Sequence, residues 1–243
     1  MTGYAAPTIG AVLNARDPRR FRDLTLAEFV DRLASPEPIP GGGSAAAVAA
    51  SLGAALVTMV ASLSIGREKY APHATNLQDV ASMGRRLALR LLELADEDSV
   101  AYGRYAAALK LPRDTAELRH TRAVEVAGAA RLATEVPLET VRACLEVVVA
   151  AERLAGRSNV NAASDLSVAS LLAEACSKAA AANVLVNLPA TKDPEWSVEV
   201  TRTVMELLDA VEDIARMTRE TVGGRESRPP IEPPAGEALQ VMG

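Results

Sequence analysis

Between Glu37 and Arg67 the chain carries no charged residue, and that stretch limits what the protein can fold into. It exceeds the roughly 20 residues a helix needs to cross a bilayer, so it is either a membrane span or a helix walled in by protein. Its centre is Ala, Ser, Gly and Thr with few Leu or Ile, a composition suited to close packing against other helices rather than to lipid. We therefore expect the central helix of a core, and no membrane partner. A second nearly uncharged stretch, 164–188, has the same character. Two such helices exceed what their own neighbours can cover, and self-association as a homodimer completes the burial.

The rest of the chain points the same way. Apolar residues make up 49 % but aromatics only 3 %, and Ala fills much of the difference, which favours helices packed through small side chains. No period-two alternation bounded by turns occurs, and no glycine fingerprint follows a strand, so nucleotide-binding α/β folds lose support. The expected fold is all-α: a single helical-bundle domain of about seven helices, at 25–33, 44–63, 74–109, 114–134, 137–156, 164–188 and 194–222. A capping box at Thr25-Leu26-Ala27-Glu28 opens the first. Ser44 is the expected cap of the second, and Pro137 the first-turn proline of the fifth. Residues 1–23 read as an N-terminal extension, 24–222 as the domain and 223–243 as a Pro-rich flexible tail.

A net charge of −5 with scattered basic residues lacks the footprint a nucleic acid or an anionic membrane requires. Cys144 and Cys176 lie in apolar helical patterns and read as reduced, buried thiols of a cytoplasmic protein. His73 and His120 each stand alone, and no Cys/His cluster has ligand spacing, so no metal site is expected. Residues 1–23 carry Arg16, Arg19, Arg20 and Arg22 without an apolar run, unlike a signal peptide.

Asp98 is the strongest chemical signal. The apolar stripe of the third helix reads Leu87, Leu91, Leu94, then Asp98, then Ala101 and Tyr105, which sets a carboxylate on the buried face. Such a group is either paired structurally or retained for catalysis, and periodicity leaves both open. Asp96 and Glu97 point elsewhere and are expected to be solvated. Gly41-Gly42-Gly43-Ser44 offers backbone N–H groups and the positive end of a helix dipole, or is merely a flexible helix entry. Arg67 and Lys69 suit an anionic ligand tail or a solvated loop. Asn159, Asn161, Ser164 and Asp165 crowd one turn, where capping is the alternative role. Asn183 and Asn187 sit four residues apart on an apolar helix, fit for core hydrogen bonds or for the edges of a polar heterocycle.

These segments together resemble a known family, the methenyltetrahydrofolate cyclohydrolases and the cyclodeaminase domain of formiminotransferase-cyclodeaminase. The resemblance spans about 24–222 and rests on Pro40-Gly41-Gly42-Gly43-Ser44-Ala45-Ala46, Ile65-Gly66-Arg67-Glu68-Lys69-Tyr70, Asp98 with Ala101-Tyr102, Leu109-Lys110-Leu111-Pro112, Val136-Pro137-Leu138, Asn159-Val160-Asn161 with Ser164-Asp165, and Asn183-Val184 with Asn187-Leu188. The chain departs from the family at Ser158, where Gly is usual before the first Asn.

The resemblance implies an all-helical dimer acting on a tetrahydrofolate derivative without a metal, with Asp98 as general acid/base. Lys69 would bind or polarise the ligand, the glycine loop and the Asn side chains would read the pterin, and Arg67 would meet the glutamate tail. A chain of 243 residues leaves no room for a formiminotransferase domain, so the expected activity is hydrolysis of 5,10-methenyltetrahydrofolate. Cyclodeamination of formiminotetrahydrofolate and an inactive folate- or protein-binding dimer are the alternatives.

Overall fold

A computed structural model describes residues 20–231, and every regular element among them is helical. Six α-helices follow in order: α1 (Leu26–Leu33), α2 (Gly42–Ser62), α3 (Ala74–Leu109), α4 (Ala116–Leu154), α5 (Ala163–Thr191) and α6 (Pro194–Gly224). Short 3-10 turns occupy Phe21–Asp23, Glu68–His73 and Val160–Ala162. Local chemistry sets several starts. At α1 the Thr25 hydroxyl accepts the Glu28 N–H at 3.2 Å while the Glu28 carboxylate accepts the Thr25 N–H at 2.7 Å, so two orphan donors are satisfied at once. Thr115 caps α4, and Asp193 caps α6 ahead of Pro194.

Two expectations fail here, each for a local reason. Ser44 is not the cap of α2: the helix begins at Gly42, with Gly41 at the cap position and no side chain bonding there. Nor does Pro137 open a new helix, because α4 runs unbroken through it. Proline has no N–H, so the Ala133 carbonyl one turn back loses its helical donor. Asn187 of α5 supplies the replacement, its amide donating to that carbonyl at 2.7 Å. With α4 unbroken, the described residues form six α-helices where about seven were expected.

Consecutive long helices run antiparallel. Helices α2, α3, α4 and α5 form a square, with α2 diagonal to α4, and α6 packs on α4 and α5. The α2–α3 crossing is close because Gly84 has no side chain: a Cβ there would lie 2.5 Å from Thr58 Oγ1 and 3.0 Å from the Ala54 carbonyl. Gly53 brings α2 equally near α5, its Cβ position 3.1 Å from the Ala169 carbonyl. By length and composition α2 and the 160–191 segment suffice to cross a membrane. One face of α2 is nevertheless enclosed by protein, with Ala47, Ala50, Ala54, Val57, Val60 and Ala61 fully buried.

The ends of the domain are tied down. Phe21 is buried against Phe29, with ring centroids 5.5 Å apart. Beyond α6 the backbone N–H of Arg228 donates to the Gly156 carbonyl at 3.0 Å, and Arg157 donates to the Pro229 carbonyl at 2.7 Å. The expectations for residues 1–19 and 232–243 lie outside the described residues.

Replacing Gly84 by Ala should force α2 and α3 apart. Overpacking of this kind costs about 1–3 kcal/mol, so thermal unfolding of Gly84→Ala is expected several degrees below the parent.

Candidate active site

Asp98 lies near the C-terminal end of α3, where that helix passes the first turn of α2. The hydroxyl of Ser44 lies 2.9 Å from Asp98 Oδ2, and the Ser44 backbone N–H also bonds the carboxylate. The carboxylate therefore does across the helix pair what no local side chain does for α2: it accepts from the N-terminal turn, where the helix dipole favours negative charge. Among the described residues no guanidinium or ammonium pairs with it. Burial pushes the Asp98 carboxyl above its ordinary value, and the two Ser44 hydrogen bonds hold it part of the way back.

Gly43 is required by this contact. A Cβ at Gly43 would sit 2.3 Å from Asp98 Oδ1 and 2.7 Å from Oδ2, so any side chain would evict the carboxylate. Gly42 has nothing within 4 Å of its Cβ position, and Gly41 only the Pro38 carbonyl at 3.7 Å, which leaves that backbone open to a ligand. Ser44 adds a movable proton. Its hydroxyl is 3.1 Å from the Ala95 carbonyl and 3.1 Å from Ser99 Oγ as well as 2.9 Å from Asp98. One hydroxyl has one proton, and the ionised carboxylate is the strongest acceptor of the three. Once Asp98 is protonated, that proton is free to turn to Ala95.

The neighbouring carboxylates differ from expectation. Asp96 is not solvated but buried, its Oδ1 accepting the Phe21 N–H at 2.8 Å beneath the Phe21–Asp23 turn. Burial raises its carboxyl, opposed by that bond. Glu97 is half-buried and paired with Arg90. The Phe21–Asp23 turn, the last residues of what was read from sequence as an extension, lies on this face of α3.

The other expected residues gather at the opposite end of α2. Lys69 stands 5.6 Å above the Tyr70 ring, a cation–π contact, and lines a cleft of about 680 Å³ with Tyr70, Ser158, Asn161, Ser164 and Arg225. Arg67 opens instead on a smaller cleft of about 300 Å³ beside Gln78. Asn159 is buried; its N–H donates to Ser64 Oγ at 2.8 Å and its Oδ1 accepts the Asn161 N–H at 3.1 Å. Ser64 escaped the sequence analysis and Tyr70 entered it only as part of a motif, with no role of its own, although the Tyr70 hydroxyl accepts the Val160 N–H at 3.3 Å and helps hold this turn. Asp165 is half-buried in the first turn of α5. Asn183 donates to the Ala179 carbonyl of its own helix, while Asn187 is committed to Ala133. The thiols are free and raised by burial, Cys176 to about 11.

The structure thus brings Asp98 together with Gly41–Ser44, and Lys69 together with Asn161, but not the two groups with each other. The 21 residues of α2 separate them by about 30 Å. Among the described residues no group of three or more His, Cys, Asp or Glu is placed to hold a metal ion.

An all-helical domain with one uncompensated carboxylate seated on a glycine-rich helix start defines a class, and comparison with known proteins supplies the family. The model of the formiminotransferase-cyclodeaminase family matches residues 25–218, so the chain belongs to that family. It is 37 % identical over 198 residues to a methenyltetrahydrofolate cyclohydrolase of Methylorubrum extorquens, covering 82 % of this chain and 95 % of the relative. It is 33 % identical to the formimidoyltransferase-cyclodeaminase of Gallus gallus over 76 % of this chain but only 34 % of that longer protein. Its fold matches the crystal structure of a formiminotetrahydrofolate cyclodeaminase from Thermotoga maritima with a TM-score of 0.76 at 26 % identity, over 84 % of this chain and 98 % of that one.

Two substitutions test the geometry. Gly43→Ala should displace Asp98 and remove most activity while helicity by circular dichroism persists. Ser44→Ala removes a hydrogen bond that favours the charged form, so the Asp98 carboxyl should titrate higher and the acid limb of the rate profile should move to higher pH.

Proposed function

We propose that this chain is a folate one-carbon enzyme that hydrolyses 5,10-methenyltetrahydrofolate to 10-formyltetrahydrofolate, with Asp98 as general acid/base. The observation that carries the reading is a half-buried carboxylate with no cationic partner, in a chain that covers 95 % of a stand-alone cyclohydrolase relative. An anion left uncompensated in a protein is ready to receive a cation, and the methenyl bridge is cationic.

Water adds to the bridge carbon and gives one proton to Asp98. The C–N5 bond then breaks, N5 takes up a proton, and the oxygen remains as the formyl group on N10. Of the water's two protons one ends on N5 and one leaves to solvent, so the positive charge of the substrate is discharged. A carboxylate whose pKa is raised suits both halves, because it takes a proton and returns it.

The family match to cyclodeaminases favours a second reading. There N10 attacks the formimino carbon, loses its proton to Asp98, and the departing nitrogen is protonated to leave as ammonia. The same carboxylate serves both, since each passes beside a cationic amidine carbon. Lys69 is proposed to bind or polarise the ligand, Gly41–Ser44 with Asn159, Asn161, Asp165, Asn183 and Asn187 to shape the pterin site, and Arg67 to face the glutamate tail. The working form is proposed to be a cytoplasmic homodimer; the two buried free thiols and the uncharged outer face of α2 support it.

Assays with methenyl- and formiminotetrahydrofolate decide between the readings. The parent should turn over the first faster, and Asp98→Asn should lose about 100- to 10,000-fold in kcat; turnover of neither substrate leaves the inactive dimer. For the base reaction kcat/KM should fall as pH drops through the Asp98 pKa, with the limb above the ordinary carboxylate value of about 4.

Stability runs the other way. The raised folded pKa means that the folded state holds a proton the unfolded state has released, so stability declines as pH rises from about 4 through the folded value. Asp98→Asn should therefore melt no lower than the parent at neutral pH.

A further inference from the structure

A hydroxyl buried in a helix commonly bonds back to a carbonyl of its own helix three or four residues earlier. Ser51, Thr134, Thr140, Ser170 and Ser177 all do so here. Ser99 does not, although it lies inside α3 and is only 2 % exposed. The carbonyl it would use, that of Ala95, is approached at 3.1 Å by the Ser44 hydroxyl of α2 instead. Among the described residues the one partner of the Ser99 hydroxyl is Ser44 Oγ, 3.1 Å away. Ser44 is itself fully buried, so protein groups decide which way these two hydroxyls point.

Counting protons fixes the order. Two hydroxyls carry one proton each, and Ser44 Oγ has three neighbours: Asp98 Oδ2 at 2.9 Å, Ser99 Oγ and the Ala95 carbonyl. While Asp98 is ionised, its carboxylate is the strongest acceptor and takes the Ser44 proton. Two oxygens 3.1 Å apart with no hydrogen between them repel, so Ser99 has to donate in its contact with Ser44. Both O–H dipoles then run toward the carboxylate, and bonds in series polarise one another by about 10–30 % each.

We propose that Ser99 is a positioning residue for Asp98: it donates to Ser44 Oγ, commits the Ser44 proton to Asp98 Oδ2 and so favours the ionised carboxylate that a base needs. The inference deepens the folate-enzyme reading and rests on it for the reaction, whereas the order of the hydrogen bonds belongs to the resting protein. When Asp98 takes up a proton, the new O–H donates to Ser44 Oγ and the Ser44 proton turns to the Ala95 carbonyl. Ser99 still donates to the second lone pair of Ser44 Oγ, but its polarising effect no longer reaches a charge. No charged group of α2, α4 or the Phe21–Asp23 turn acts on Asp98. On α3 its neighbour Asp96 is bonded to the Phe21 N–H, with Arg20, Arg22 and Asp23 acting there, and Glu97 is paired with Arg90. The hydroxyl pair is therefore the local means of adjusting this carboxylate.

Carbon-13 NMR titration reads the order directly, with the Asp98 carboxyl signal identified by its loss in Asp98→Asn. Ser99→Ala, a replacement by the best helix former, should titrate above the parent by about 10–30 % of the shift that Ser44→Ala produces. Ser99→Cys, whose S–H is a weaker donor, should move the same way by less. Because Ser99 acts through Ser44, Ser44→Ala/Ser99→Ala should titrate together with Ser44→Ala. The opposite sign overturns the inference: were Ser99 the acceptor, it would compete with Asp98 for the Ser44 proton, and its removal would lower the titration. No shift in Ser99→Ala, or a further rise in the double variant, overturns it as well.

A second readout separates positioning from packing. With 5,10-methenyltetrahydrofolate, the acid limb of kcat/KM for Ser99→Ala should move to higher pH by the same interval as the NMR titration. An equal loss at every pH, with the limb in place, means packing alone and overturns the positioning role. If the parent turns over neither methenyl- nor formiminotetrahydrofolate, the functional reading fails, and the NMR titration still decides the order of the hydrogen bonds.

Discussion

The docking of the Asp98 carboxylate on the first turn of α2 is the contact on which the rest depends. Burial works against the charge; the Ser44 hydroxyl, the Ser44 N–H and the helix dipole work for it. The balance leaves a carboxyl raised yet still ionisable, poised to exchange a proton. A guanidinium in the same place would have fixed it as an anion. The balance also explains why the glycine run is there: only a residue without a Cβ at position 43 lets the carboxylate reach the backbone. The same atoms therefore cap a helix and carry the candidate chemistry. A structural role for Asp98 therefore does not compete with the catalytic role proposed for it.

Much of the fold was legible because it follows from short-range rules. The helix starts at Thr25 and Pro194, the long α3 and the placement of Asp98 on its inner face all come from capping and periodicity. What sequence could not supply were contacts made across the chain. Pro137 reads locally as a helix boundary, yet α4 continues through it, and the donor that satisfies the freed Ala133 carbonyl is the Asn187 amide of another helix. Asp96 looked solvated because the Phe21 N–H that buries it lies 75 residues away. Ser44 looked like a cap because nothing local showed that Asp98 would take that place.

The candidate site could be written from sequence as a list of residues but not as an arrangement. Glycines, lysine, asparagines and aspartate were all visible by type and order. That α2 parts them into two groups follows only from its being one straight helix of 21 residues. The property that first suggested a core, an absence of charge from Glu37 to Arg67, then has two consequences on two faces. One face is filled by α3, α4 and α5; the other turns out Leu52, Met59 and Leu63.

The most direct test of the central claim is a crystal structure of the protein with a bound folate analogue carrying the one-carbon bridge. The account predicts the bridge carbon beside Asp98, with a water within about 3 Å of both the carboxylate and the carbon, and the pterin over Gly41–Ser44. A folate bound with its bridge remote from Asp98, for instance in the α5–α6 groove around Val198, would contradict it.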